Sequence, residues 1–246
     1  MATSYAPNIV TDGLVACWDA AGKRSYPGTG TTWYDLAGGY NGTLENGDDG
    51  SLTFDPAKGG SLNFDGTDDY INCGNVTEID GSSTMSYCMW AKLDAVTGSN
   101  TYIAKWKYSS PRQGCFSMQT EDVGGDYELR VFVAINLTEG GGNIIDTADA
   151  PLTTNWQYVS VVYDGSLAAA SRVAIYVDGV KSATSATLGT IPTSLTSSSA
   201  DLEIGRFEGL GRHFGGNISS VRLYTRALSA AEIMDNFQKT RGRFGV

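Results

Sequence analysis

The segment SYCMWAKL, at residues 86–93, has the period-two alternation of a β-strand. Successive side chains of an extended chain point to opposite faces, so every second residue shares a face. One face here carries the apolar residues Tyr87, Met89, Ala91 and Leu93. The same alternation recurs at residues 128–135, 156–163 and 172–177, and we predict that each segment is a strand with one face in a core.

Shorter strand candidates occur throughout the chain, separated by turn-forming glycine, asparagine and aspartate. They lie at residues 14–18, 51–54, 61–64, 70–73, 102–107, 115–119, 202–206 and 218–224. Because no helix separates these strands, two packed antiparallel sheets are favoured over a parallel α/β sheet. The sequence therefore predicts an all-β jelly-roll sandwich. We expect residues 1–246 to form a single domain, with residues 1–10 as its N-terminal segment.

One short helix is predicted near the end of the sequence. Ser229 and Glu232 have the spacing of a capping box, in which each side chain accepts a hydrogen bond from the other residue's backbone N–H. Ile233, Met234 and Phe237 then supply one apolar stripe. We expect a helix at about residues 230–239, within a segment, residues 229–240, that docks on the sandwich.

The charge of the chain argues against two classes of partner. Its formal net charge is −10 at pH 7, and its sequence pI is near 4.5. Nucleic acids and anionic membranes attract clustered lysine and arginine, so we expect neither nucleic-acid binding nor membrane insertion. Residues 1–10 lack the basic and apolar regions of a secretory signal, so we expect synthesis in a cytoplasm, with the four cysteines reduced.

The sequence offers little for catalysis. Asp201 and Glu203 have the spacing of glycosidase carboxylates on one strand face, but the third carboxylate of the glucanase pattern falls at Gly205. We interpret the pair as a solvated strand face. The single histidine, His213, has no partner for a triad or a zinc site, and Cys115 has no recognisable base nearby. The protein is therefore predicted not to be an enzyme.

Six segments occur in a distinctive order along the chain. They are residues 63–71 (NFDGTDDYI), 156–159 (WQYV), 163–165 (YDG), 175–179 (IYVDG), 202–205 (LEIG), and a final run made of 214–218 (FGGNI), 221–224 (VRLY) and 227–232 (ALSAAE). This order resembles that of laminin-G-like domains in the concanavalin-A-like lectin/glucanase superfamily. The resemblance implies a concanavalin-A-like jelly-roll sandwich of two antiparallel sheets with one short C-terminal helix. It does not imply one activity, because this sandwich carries lectins, glycosidases, adhesion modules and virion proteins.

A second, narrower resemblance lies at the two ends of the sequence. Its segments are residues 7–14 (PNIVTDGL), 18–21 (WDAA), 25–36 (SYPGTGTTWYDL), 41–44 (NGTL) and 241–246 (RGRFGV). They are similar to laminin-G-like domains in structural proteins of tailed bacteriophages, particularly marine ones. This similarity implies a non-enzymatic virion structural protein, located in the virion as a capsid decoration or tail-associated protein, with other virion proteins as partners.

Attachment to the particle is expected through residues 4–10 or residues 241–246, because both segments lie outside the predicted strands. Loose binding of host-surface glycan is an additional expectation. The alternative is a carbohydrate-binding lectin module with no virion role.

A calcium site is implied by the first resemblance, because related domains often carry this oxygen-liganded cation. The candidate ligands are Asp65, Asp68 and Asp69. The related pattern often has acidic residues where this chain has Ser219 and Ser220, and the alternative role of the three aspartates is to cap a turn. No cofactor is required, and calcium is an optional ligand.

Glycan binding would use exposed aromatic rings as stacking platforms beside polar side chains. The candidates in or near predicted loops are Trp33, Tyr34, Trp106, Tyr108 and Arg112. Their alternative roles are packing at strand ends and contact with another virion protein, since interfaces are enriched in tyrosine, tryptophan and arginine.

Overall fold

The computed structural model describes residues 9–45, 52–109, 112–134, 142–147 and 152–246, so most of the predicted N-terminal segment lies outside it. Numbered along the chain, its strands are β1 (Leu14–Asp19), β2 (Thr32–Trp33), β3 (Gly42–Glu45), β4 (Thr53–Asp55), β5 (Ser61–Asp65), β6 (Tyr70–Asn72), β7 (Thr84–Leu93), β8 (Thr101–Lys107), β9 (Gln113–Val123), β10 (Asp126–Ala134), β11 (Gly142–Thr147), β12 (Gln157–Asp164), β13 (Val173–Val177), β14 (Val180–Lys181), β15 (Thr184–Leu188), β16 (Leu202–Ile204), β17 (Arg206–Phe207), β18 (Arg212–His213) and β19 (Gly215–Tyr224). The described residues also contain one α-helix, α1, which spans Ala230–Arg241. Short 3-10 turns occur at Ala57–Gly59, Thr77–Ile79 and Ala169–Ser171.

The strands form two large antiparallel sheets. In the described residues, sheet A has the order β14-β13-β12-β7-β19-β5-β4, and β1 also pairs with β19. Sheet B has the order β15-β11-β10-β9-β8-β16-β6-β3-β2. The predicted sandwich of two antiparallel sheets with one short C-terminal helix is confirmed.

The main core lies between the inner faces of the two sheets. Tyr87, from β7 of sheet A, stacks on Phe116, from β9 of sheet B, with ring centroids 5.2 Å apart. All four apolar residues that the alternation placed on one face of β7 are buried in this core. The period-two pattern therefore predicted the inner face of β7 correctly.

The outer face of sheet A, turned away from sheet B, is also buried. Trp90 of β7 stacks against Phe237 of α1 and against Phe244 beyond the helix, with ring centroids 5.8 and 4.0 Å apart. Its Nε1 donates a hydrogen bond to Thr240 Oγ1 at 2.8 Å. Trp156 lies on the other side of the Phe244 ring, at 4.8 Å. Both faces of β7 are thus covered, although the alternation predicts burial of only one.

The helix begins where the capping box places it. Ser229 Oγ accepts a hydrogen bond from the Glu232 backbone N–H at 3.3 Å, and Glu232 Oε2 accepts one from the Ser229 N–H at 2.9 Å. Arg226 adds an ion pair to Glu232 at 2.6 Å. Ile233 and Phe237 are buried, and α1 extends to Arg241, slightly beyond the predicted end.

The segment after α1 belongs to the fold. Arg243 Nη1 contacts Asp19 Oδ1 at 2.8 Å, and its other nitrogens donate to the carbonyl oxygens of Lys58 and Gly60, both at 2.7 Å. Arg243 and Phe244 are therefore anchored to the sandwich, and particle attachment through residues 241–246 stays a prediction. These contacts join segments that are distant along the chain, so no local sequence pattern predicts them.

A hairpin of β17 and β18 covers part of the outer face of sheet B. Gly205 follows β16 with a φ of 87°, a conformation that favours glycine, and it redirects the chain. Phe207 then packs on Trp106 of β8, with ring centroids 5.5 Å apart, and lies 6.4 Å from Phe132 of β10. The strand predicted at residues 202–206 accordingly ends at Ile204.

Candidate functional site

A strip of polar side chains lies on the outer face of sheet B, on and beside β6 and β16. We define the polar strip as Tyr70, Asn72, Asp201, Glu203 and Arg206. Strand register places Asn72 between Thr43 and Glu203 in one row. Thr43 and Asp201 are exposed, and Asn72 is half-buried, so solvent reaches this part of the sheet.

Arg206 connects the acidic and aromatic members of the polar strip. Its Nε donates to Glu203 Oε2 at 2.8 Å, and its Nη2 donates to Glu203 Oε1, which makes the pair bidentate. The guanidinium carbon also lies 3.4 Å from the centroid of the Tyr70 ring. This stacking is the geometry of a cation–π contact, and it fixes the plane of the guanidinium.

Glu203 is buried rather than solvated, which corrects the prediction for this residue. It is only 4% exposed because Arg206 covers it. Burial raises the pKa of Glu203, and the contact with Arg206 opposes that rise. The turn at Gly205 brings Arg206 back over the strand, so the burial could not be read from alternation alone.

Asp201 and Asn72 form the exposed end of the polar strip. Asn72 Nδ2 donates to Asp201 Oδ2 at 3.0 Å, and Asn72 Oδ1 accepts from the Gly74 N–H at 2.7 Å. Asp201 and Glu203 lie on the same side of the strand, separated by about 6.6 Å along it. The strip therefore offers carboxylate and amide groups for hydrogen bonds with hydroxyls.

The three aspartates proposed as calcium ligands lie together in the turn between β5 and β6. One ligand oxygen from each of Asp65, Asp68 and Asp69 lies within 4.8 Å of the others. Asp65 Oδ1 accepts a hydrogen bond from the Thr67 N–H at 2.8 Å, and Asp69 Oδ2 accepts one from the Asp65 N–H at 2.9 Å. Burial acts to raise the pKa of Asp65, but the backbone donors outweigh it and hold that pKa below its usual range.

Turn capping therefore occurs in this acidic turn, as the alternative role predicted. Carboxylate oxygens suit a hard cation, but calcium takes about six to eight oxygen ligands, so the three residues could supply only part of its coordination. Calcium binding stays a prediction.

His213 joins the acidic turn to the polar strip. Its Nδ1 lies 3.4 Å from the Asp69 carbonyl oxygen, and it pairs with Arg206 across the β17–β18 hairpin. Burial lowers the pKa of His213, and Arg206 adds to that effect while Asp68 and Asp65 oppose it. The turn, the histidine and the strip thus form one continuous polar surface.

The five residues predicted to bind glycan do not come together. Trp33 is 0% exposed and Trp106 is 4% exposed, so the expectation that their rings are open platforms is wrong. Core packing covers Trp33, and the β17–β18 hairpin covers Trp106. Tyr34 is 46% exposed, whereas the Arg112 guanidinium carbon lies 4.0 Å from the centroid of the half-buried Tyr108 ring.

The predicted glycan-binding residues that are not buried lie at two separate places, with Tyr34 next to β2 and Tyr108 next to β8. Trp33 is in β2, and Trp106 is in β8, with β3, β6 and β16 between them. Four steps across the sheet correspond to roughly 19 Å. Glycan binding by Tyr34, Tyr108 and Arg112 stays a prediction.

Sequence reasoning missed most of the polar strip. Tyr70 and Asn72 share a strand face by their spacing, which was a usable signal. Arg206 had no comparable signal, because its position depends on the turn at Gly205 and on contacts with β6 and β16.

Comparisons with known proteins agree with this architecture. A family model described as the concanavalin A-like lectin/glucanases superfamily, Laminin_G_3, matches residues 65–234. Since the match spans more than half of the sequence, the chain belongs to this family. The predicted laminin-G-like, concanavalin-A-like domain is confirmed. A search of curated protein sequences found no match.

Several solved structures share the fold. Domain 4 of AbnA, a GH43 extracellular arabinanase from Geobacillus stearothermophilus in complex with arabinotriose, is 17% identical with a TM-score of 0.63, over 92% of this chain and 98% of that one. Trypanosoma rangeli sialidase in complex with sialic acid is 14% identical with a TM-score of 0.62, over 93% of this chain but only 33% of the sialidase. A heptameric pentraxin from Limulus polyphemus is 16% identical with a TM-score of 0.53, over 71% of this chain and 79% of that one. At these identities the likeness shows the fold alone. In the part of the chain that the structure describes, no helix has the length and apolar character needed to span a membrane.

Proposed function

We propose that this protein is a non-catalytic carbohydrate-binding domain whose polar strip contacts the glycan. The observation that carries the proposal is the Arg206 guanidinium held between Tyr70 and Glu203, beside the exposed pair of Asn72 and Asp201. Fixed polar groups on a rigid sheet can bind hydroxyls without a large ordering cost. The family to which the chain belongs includes lectins, which supports a sugar as the ligand.

The same geometry argues against glycosidase chemistry. A glycosidase needs one protonated carboxylic acid and a second carboxylate as nucleophile or base. Burial raises the pKa of Glu203 and the bidentate contact with Arg206 opposes that rise, but the contact occupies both carboxylate oxygens. Asp201 is exposed and accepts a hydrogen bond from Asn72, and the carboxyl group two residues along the strand, that of Glu203, is already engaged by Arg206.

The glycans to test first come from the structural comparisons. The arabinanase domain was solved with arabinotriose and the sialidase with sialic acid. Arabino-oligosaccharides and sialylated glycans are therefore the first ligands to test. Binding is measured by calorimetry on the wild type and on Asn72→Ala and Asp201→Ala. The control variants are Asn155→Ala and Asp126→Ala, which remove the same chemical groups at exposed positions outside the strip.

We expect each strip variant to weaken binding by about tenfold, since the loss of one hydrogen bond at a site costs about 1.4 kcal/mol. The controls should bind as the wild type does. Equal binding by all five proteins would reject the polar strip as the site. Release of reducing sugar by the wild type, lost in Glu203→Gln, would reject the non-catalytic proposal.

A virion role is a second proposal, carried by the similarity of residues 7–14, 18–21, 25–36, 41–44 and 241–246 to laminin-G-like domains in structural proteins of tailed bacteriophages. In this proposal the domain attaches to other virion proteins and presents the polar strip outward. Because residues 241–246 are engaged in the fold, the attachment test uses deletion of residues 1–8. Full-length protein should sediment with tailed-phage particles, and the deletion variant should stay in the supernatant. If both forms stay in the supernatant while a glycan column retains them, the lectin alternative is the better account.

A further inference from the structure

Among the residues that the structure describes, Arg222 of β19 is a buried cation with no carboxylate in direct contact. It lies on the outer face of sheet A and is 2% exposed. Within the described residues, its Nε and Nη1 donate no hydrogen bond and no carboxylate pairs with it, although its side chain contacts the Cys17 thiol. Buried charges in proteins are normally paired, because an unpaired one carries a large desolvation cost. The guanidinium therefore requires compensation from another group.

Further unsatisfied donors lie around Arg222. Strand register places Arg222 and Ser160 in one row, on either side of β7, and Ser220 and Tyr158 in the next row. In the described part of the chain, the buried hydroxyl of Ser220 lacks a hydrogen-bond partner, and those of Ser160 and Tyr158 have no oxygen or nitrogen partner. Ser160 and Tyr158 reach only the Cys88 thiol, a weak acceptor that lies between them and Arg222. We call this cluster the Arg222 chamber, defined by Arg222, Ser220, Tyr158 and Ser160.

Aromatic rings from α1 and from the segment after it cover the sheet face that carries the Arg222 chamber. Trp90, in the row of Ser220 and Tyr158, is covered by Phe237 of α1 and by Phe244. These rings exclude solvent, and electrostatic interactions are stronger in such an environment than in water.

The charges near the chamber do not balance. Asp19 lies close enough to act on Arg222 electrostatically, but its Oδ1 contacts Arg243 Nη1 at 2.8 Å. Asp19 thus faces two guanidinium groups. The next carboxylate, Asp35, is held by the backbone N–H groups of Cys17, Ala37 and Gly38. One positive charge is therefore left in excess. Burial raises the pKa of Tyr158 and of the Cys17 thiol, so neither group supplies a negative charge at neutral pH.

We propose that the Arg222 chamber binds a small monovalent inorganic anion, of which chloride is the probe. Every orphaned group in the chamber can donate a hydrogen bond, and an anion accepts from all of them. Water would satisfy the donors, but it would leave the excess charge of Arg222 uncompensated. The close packing of Phe237 and Phe244 over the outer face favours a small ion over an organic anion.

The test is thermal unfolding of the full chain in sodium chloride and in sodium gluconate at equal ionic strength. Both salts are monovalent, and gluconate is too large for a closed chamber. Chloride at about five times its Kd should raise the melting temperature by roughly 2–4 °C over gluconate, and the rise should grow with the logarithm of the chloride concentration. Crystals soaked in bromide should show an anomalous peak beside Arg222.

Two variants sharpen this test. Arg222→Gln should lose the difference between chloride and gluconate, whereas Arg24→Gln, which changes an exposed arginine, should keep it. If Arg222→Gln does not fold, the salt comparison and the bromide crystals on the wild type still decide the proposal. Equal melting temperatures in the two salts, with only ordered water beside Arg222 in the crystals, would overturn it.

Discussion

Replacing Phe244 with alanine tests whether the chain end completes the fold. The Phe244 ring is 4% exposed and lies 4.0 Å from the ring centroid of Trp90 and 4.8 Å from that of Trp156. Removing a buried phenylalanine costs about 3–5 kcal/mol, and we take the lower figure because the Phe244 ring is not fully enclosed. For a domain of this size, about 3 kcal/mol corresponds to a fall in melting temperature of roughly 6–12 °C.

The assay is calorimetry or thermal circular dichroism on the purified wild type and Phe244→Ala. Val246→Ala is the matched control, because Val246 is 45% exposed and its truncation should leave the melting temperature within about 1 °C of the wild type. A fall of less than about 2 °C for Phe244→Ala would refute the reasoning, since it would mean that the aromatic cluster stabilises the sandwich by under about 1 kcal/mol.

Four further predictions concern other parts of the molecule. Lys105→Met should destabilise the protein by about 3 kcal/mol in urea unfolding, because the buried Lys105 ammonium contacts Asp80 at 2.7 Å; adding Asp80→Asn should restore part of that loss. Contact with Arg226 lowers the pKa of Glu232 to about 2, so its carboxylate stabilises the fold above its unfolded pKa of about 4.3 and loses this effect as the pH falls through about 2. The stability difference of about 1 kcal/mol between wild type and Glu232→Gln should accordingly be present at pH 7 and vanish near pH 2 in acid titrations. The four buried cysteines should resist a thiol reagent in the native protein and react as four free groups after denaturation without reductant; a count of two or fewer would contradict this. Calcium should raise the melting temperature of the wild type and leave that of Asp68→Asn unchanged, and no rise in either would reject calcium binding at the acidic turn.

The inner face of β7 could be predicted because strand alternation depends on the strand alone. Tyr87 and Met89 share a face in any extended chain, and both lie in the main core. The burial of Trp90 on the opposite face could not be predicted in the same way. Its covering residues come from α1 and the segment after it, and its hydrogen-bond partner Thr240 is 150 positions away along the chain.

The start of α1 was predictable for a similar reason. The capping box at Ser229 is a local signal, so the structure reproduces it in full.

The polar strip shows the limit of local reasoning. Glu203 has the spacing of a residue on an exposed strand face, yet Arg206 returns over it after Gly205 and buries it. The same turn brings Phe207 over Trp106 and so removes a predicted stacking platform. The turn at Gly205 thus changes the exposure of Glu203 on β16 and of Trp106 on β8. The spacing of residues along a strand cannot predict this change.

The pairing of β1 with β19 has a consequence for folding during synthesis. Leu14 lies opposite Tyr224, so the two strands that meet here leave the ribosome far apart in time. Until β19 has been made, β1 lacks its partner, and β7 exposes an edge of sheet A. Such long-range pairings slow folding, and unpaired strand edges promote aggregation. We expect nascent chains that stop before β19 to aggregate, because sheet A can close only after residue 224 has been released from the ribosomal tunnel.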